Sequence, residues 1–152
     1  MPRGVIGPPL TCSRPSFTIP GPIPTRVAEH FQRWRDLLAP HRGVRVVSYH
    51  DSWPYFYRAY GLRELGVSED RPGVPPSPQH LANLVRQMKE QQARVVVLES
   101  WYPPDTAAAV ARLAGARLVV IPQSPGATRG TENYIAHMDY LVTTLARALA
   151  EP

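Results

Sequence analysis

Four short runs, Val44 to Val47, Leu62 to Val67, Arg94 to Leu98 and Leu118 to Ile121, restrict the fold of this chain more than anything else in it. Each is rich in aliphatic and β-branched residues, too short for a helix, and closed by glycine or a polar exit. That is the pattern of a buried strand. The intervening segments carry helical signals. One starts at Pro54 after Asp51 or Ser52 as cap and stops at Gly61; the next opens at Ser77-Pro78 with Leu81, Leu84, Val85 and Met88 as its apolar stripe. Asp105 opens an alanine-rich helix that ends at Gly115. Thr131-Glu132 begins a last one with Tyr134, Ile135, Met138, Leu141, Val142, Leu145 and Leu149 inside. Strands alternating with helices connect through right-handed crossovers into a parallel sheet covered on both faces. The expected fold is α/β, a three-layer αβα domain with a four-stranded parallel sheet.

A further amphipathic run follows Thr25, with Val27, Ala28, Phe31, Trp34, Leu37 and Leu38 on one face, and Pro40 and Gly43 stop it. Residues 1–24 hold seven of the 18 prolines and no apolar period, so they read as a disordered Pro-rich arm, leaving residues 25–152 as the domain.

Seventeen basic against twelve acidic side chains give a net charge of +5, yet the arginines are spread along the chain and form no run. A solvated basic surface follows, and no nucleic-acid partner is expected. Cys12 is the only cysteine, which excludes an internal disulfide and an all-cysteine metal site. No apolar run approaches the roughly 18 residues of a membrane span, and the first residues lack the apolar core of a signal peptide. As written, the chain is expected to stay in the cytoplasm. Gly-x-Gly-x-x-Gly and Walker loops are absent.

Parallel strands collect their carboxyl ends on one edge, where open α/β sheets bind ligands. The exits there are His50-Asp51-Ser52-Trp53, Glu99-Ser100-Trp101-Tyr102 and the loop 122–130. An imidazole and a carboxylate at that edge form a metal-ligand pair in kind for zinc or manganese, so His50 and Glu99 are the candidate ligands. Glu99 has a second reading, as cap of the helix that follows. Trp53, Tyr55, Phe56, Tyr57 and Tyr60 fit core positions by helical spacing. His30, His41, His80 and His137 show no metal spacing and read as surface residues. Ser52, Ser100 and Ser124 invite a hydrolase reading with His50, yet none sits in a nucleophile elbow; a small hydrolase-like enzyme or a stand-alone interaction module stands as the alternative.

Three segments, His50 to Phe56 (His-Asp-Ser-Trp-Pro-Tyr-Phe), Pro72 to Leu81 (Pro-Gly-Val-Pro-Pro-Ser-Pro-Gln-His-Leu) and Val96-Val97-Leu98-Glu99, are followed by the loop into Asn133-Tyr134-Ile135. Together they resemble the C-terminal half of the zinc/manganese ABC-transporter solute-binding proteins of the cluster A-I type. The resemblance implies a non-enzymatic, extracytoplasmic protein of two αβα lobes joined by a long helix, with the ion between them and an ABC permease as partner. It implies that residues 25–39 are the end of that helix and that the lobe alone exposes Phe31 or Trp34. It also places His50 on the ligand position after the first strand of the lobe. Gln123 and Ser124 stand where many members carry an aspartate. One lobe is expected to hold zinc or manganese only weakly.

Overall fold

The computed structural model describes residues 25–151; the arm expected over 1–24 lies outside the described residues. The four apolar runs become β1 (Arg45–Ser48), β2 (Arg63–Val67), β3 (Val95–Glu99) and β4 (Arg117–Ile121). They pair in parallel in the order β2-β1-β3-β4. The helices are α1 (Thr25–Leu38), α2 (Pro54–Tyr60), α3 (Pro78–Glu90), α4 (Asp105–Ala114) and α5 (Tyr134–Ala150), with a 3-10 turn at Ala39–His41.

Strand alternation builds a separate core on each face of the sheet. Val46, Val95, Val97, Val119 and Ile121 pack with Trp34 and Leu38 of α1, Tyr57 and Tyr60 of α2, and Leu141 and Leu145 of α5. Val47, Val96 and Leu98 point the other way, onto Leu84 and Met88 of α3 and Ala107 and Val110 of α4. Each such side chain contributes about 1.5–3 kcal/mol through removal from water, and β3 is buried at every position because helices cover both its faces. The three-layer αβα expectation is therefore met.

Local differences have local causes. Helix α2 takes Trp53 as N-cap with no side-chain cap, not Asp51 or Ser52; Pro54 at its first position has no amide to satisfy. Helix α5 starts at Tyr134, three residues later than expected, since Glu132 Oε1 instead accepts from the Gly130 amide at 2.7 Å and Asn133 caps Ala136 at 3.0 Å. Tyr55 is 85% exposed, on the outer face of a helix that buries Tyr57 and Tyr60. His137, read from sequence as a surface residue, is buried in α5, and burial pulls its pKa below the ordinary histidine value. Trp34 is likewise buried, and its Nε1 donates to Asp139 Oδ1 of α5 at 2.5 Å, whereas Phe31 stays 39% exposed.

Candidate metal centre

His50 lies two residues beyond β1 and Glu69 two residues beyond β2, and the ladder between these strands continues past their ends. Ser68 N donates to Ser48 O at 2.9 Å and Glu69 N to Tyr49 O at 2.8 Å. That continuation sets the two side chains against each other, with His50 Nδ1 and Glu69 Oε2 2.6 Å apart. Glu69 is 7% exposed, and its Oε1 accepts from the Gly73 amide at 2.9 Å. A carboxylate only accepts, so a neutral His50 ring carries its proton on Nδ1 and keeps the lone pair on Nε2. The ring is 24% exposed, and no described residue hydrogen-bonds Nε2. An imidazole oriented through one nitrogen by a buried carboxylate is the usual preparation of a histidine for a metal.

Tyrosines wall one side. The Tyr102 ring is 5.8 Å from His50 and 4.8 Å from Tyr49, centroid to centroid. Burial, then the charge of Glu69, raises both hydroxyls above the ordinary tyrosine value, which favours the neutral phenol.

Glu99 ends β3 on the face of Val95 and Val97, which points it at α2. It has no exposed surface; Oε1 accepts from Trp53 Nε1 at 3.1 Å and Oε2 is buried without a partner. The cap reading does not hold, because α4 has Pro104 at its N-cap. His50 and Glu99 flank the point between β1 and β3 where the strand order reverses direction. The fold thus brings both expected ligands to the carboxyl edge of adjacent strands without joining them by a hydrogen bond. Beneath, Ser48 Oγ lies 2.9 Å from Tyr57 Oη and donates to Glu64 Oε1 at 2.6 Å. Burial raises the Glu64 carboxyl against the opposing effect of that bond, and Asp51 and Glu99 add to the rise.

The loop after β4 closes on itself: Thr131 Oγ1 donates to Thr128 O at 2.6 Å, and Gly126 N donates to Thr131 O at 2.6 Å. Its Gln123 is half-buried and its Ser124 exposed. Among the described residues, no three His, Cys, Asp or Glu side chains converge into a cage. Sequence reasoning missed Glu69. Its available signal was an acid two residues after the second strand, at the ligand edge.

The sequence profile of the family described as "ZnuA: Zinc-uptake complex component A periplasmic" matches residues 24–148. The chain belongs to this family. The high-affinity zinc uptake system protein ZnuA of Yersinia pestis is 27% identical over 106 residues, 69% of this chain and 33% of that protein. A crystal structure of ZnuA superposes with a TM-score of 0.70 at 21% identity, covering 83% of this chain and 46% of that one. The laminin-binding protein Lmb of Streptococcus agalactiae, described as having adhesin and metal-transporting activity, gives 0.71 at 22%, covering 82% and 48%. FpvC of Pseudomonas aeruginosa, solved in complex with Mn2+, gives 0.61 at 22%, covering 82% and 49%. The chain therefore spans a third of the curated relative and about half of these solved structures. The family is described as periplasmic, and among the described residues no helix is long and apolar enough to cross a membrane.

Proposed function

We propose that this chain forms one metal-binding lobe of a solute-binding protein that passes zinc or manganese to an ABC importer outside the cytoplasm. The observation that carries the reading is the His50–Glu69 pair at 2.6 Å, which leaves Nε2 as the donor atom at the ligand edge. Carboxylates around it, Asp51, Glu69, Asp70 and Glu99, suit a cationic cargo. His50 is the ligand this lobe presents. Glu99 is the second candidate, with Oε1 held by Trp53 and the unpartnered Oε2 as its free donor. Two protein ligands leave at least two positions of tetrahedral zinc unfilled, so the lobe alone binds weakly and tight capture needs donors from elsewhere. Such an arrangement is hinge binding between lobes, with the permease as downstream partner.

A hydrolase reading needs a nucleophile on the histidine. The described hydrogen bond of the His50 ring goes to Glu69, and none reaches Ser52, Ser100 or Ser124. The lobe is therefore assigned no catalytic role. Calorimetric titration with zinc, wild type against His50→Ala, tests the function. Weak binding that His50→Ala removes is the expected result, and superimposable isotherms reject His50 as ligand.

A further inference from the structure

We propose that the amino edge of the sheet, opposite the metal edge, is a binding site for a ligand that carries two or more phosphate groups. The inference goes beyond the metal-binding reading and does not rest on it.

Parallel topology gathers the residues that begin the strands just as it gathers those that end them. Here β1, β2 and β4 start with Arg45, Arg63 and Arg117, and Arg94 immediately precedes β3. Arg45 and Arg63 are register partners on adjacent strands, and Arg117 N donates to Arg94 O at 2.8 Å. Arg42 joins the row, its side chain against Gly61 at the entry to β2. The backbone positions of Arg63, Arg45, Arg94 and Arg117 therefore follow one another along the edge, at a strand spacing of about 4.8 Å.

Two hollows open along this row, and Arg94 lines both. One, of about 510 Å3, is bounded by Arg94, Arg117, Gly115 and Glu151. The other, of about 340 Å3, is bounded by Arg94, Arg45, His41 and Gln92. The only carboxylate among their walls is Glu151, which pairs with Arg117 at 2.8 Å.

A plainer role accounts for part of the row. Arg45 Nη1 reaches Gln91 O beyond α3 at 3.4 Å, and Arg117 Nη1 reaches Ala148 O in α5 at 3.1 Å. Cations at helix C-termini are favourable in themselves. That role leaves out Arg42, Arg63 and Arg94, all exposed and none in an ion pair among the described residues. Guanidinium is a planar fork of donors that matches phosphate oxygens two at a time. A ligand with phosphates in tandem fills both hollows with Arg94 between them.

The test uses the purified chain in buffer freed of divalent metal, so its failure leaves the zinc reading untouched. Tripolyphosphate is titrated calorimetrically into wild type, Arg94→Gln and Arg129→Gln, the last an exposed arginine on the opposite edge. In parallel, the three proteins are sedimented with vesicles of phosphatidylglycerol and of phosphatidylcholine. The expected result is tripolyphosphate binding that weakens about tenfold in Arg94→Gln and is unchanged in Arg129→Gln. Binding confined to phosphatidylglycerol vesicles, and again lost in Arg94→Gln, supports the site and assigns the phosphates to lipid headgroups. Binding of neither probe overturns the proposal, as does an equal loss in both variants. Arg94 is exposed, so an unchanged unfolding midpoint is expected for its variant.

Discussion

Glu69→Gln separates the metal reading from a purely structural one, because glutamine preserves the shape of glutamate and reverses one of its polar ends. Glu69 accepts at both oxygens, from His50 Nδ1 at 2.6 Å and from Gly73 N at 2.9 Å. Glutamine accepts at only one. If its oxygen keeps Gly73, its amide faces Nδ1 and drives the ring proton to Nε2, closing the nitrogen meant for the ion. If its oxygen keeps His50, its amide opposes the Gly73 amide at a largely buried site, and the loop is penalised instead. The first arrangement preserves both hydrogen bonds and is the expected one. Losing the orienting carboxylate behind a metal-bound histidine costs about 10–100-fold in affinity, equivalent to about 1.4–2.7 kcal/mol. The folded state keeps a hydrogen bond at each end, so unfolding should shift by no more than about 1 kcal/mol. Zinc titration by calorimetry beside urea unfolding measures both quantities. Wild-type zinc affinity in Glu69→Gln, alongside lost binding in His50→Ala, would refute the orienting role.

Other outcomes follow from the same geometry. Trp53→Phe removes the donor that satisfies the wholly buried Glu99 and should cost about 1–3 kcal/mol in urea unfolding; the double variant with Glu99→Met should recover part of it. His137 has a depressed pKa in the folded state, so the unfolded chain takes up the proton first, and stability is lost as pH falls from the ordinary histidine value through the folded one. Unfolding midpoints at pH 7.5 and 5.5 should differ in that direction, and His137→Leu should flatten the difference. Asp139 is pushed up by burial but pulled down further by hydrogen bonds from Trp34 and Arg33 and by the charges of Arg33 and His30. Its net pKa is lowered, so its contribution is present above the ordinary aspartate value and lost as pH falls through the folded one; Asp139→Asn should remove that acid-side slope in the same assay.

The layers of this fold were legible because burial on both faces of a parallel sheet leaves unbroken aliphatic runs, and Val95 to Leu98 is such a run. His50 was legible because it lies just beyond an unmistakable strand run. Glu69 was not: its partnership with His50 depends on β2 lying next to β1, a lateral order that no run of residues records. Glu99 was placed correctly at the edge, but its engagement by Trp53 depends on the pleat phase of β3 together with the turn into α2. Tyr55 and His137 show the limits of helical spacing: α2 is seven residues long and has a single inner side, while α5 buries a polar residue within its apolar stripe.

Neither of the two cores on either side of the sheet includes His50, Glu69 or Glu99, although Trp53, Tyr49 and Tyr102 join the cores to the ligand edge. Folding and the proposed capture thus rest on largely different side chains. On the proposed metal-binding reading, substitutions of His50 or Glu69 can change which cation is preferred, or how long it is retained, without removing a side chain from either core. Metal preference is then free to drift between related proteins, with little selective drag from lost stability.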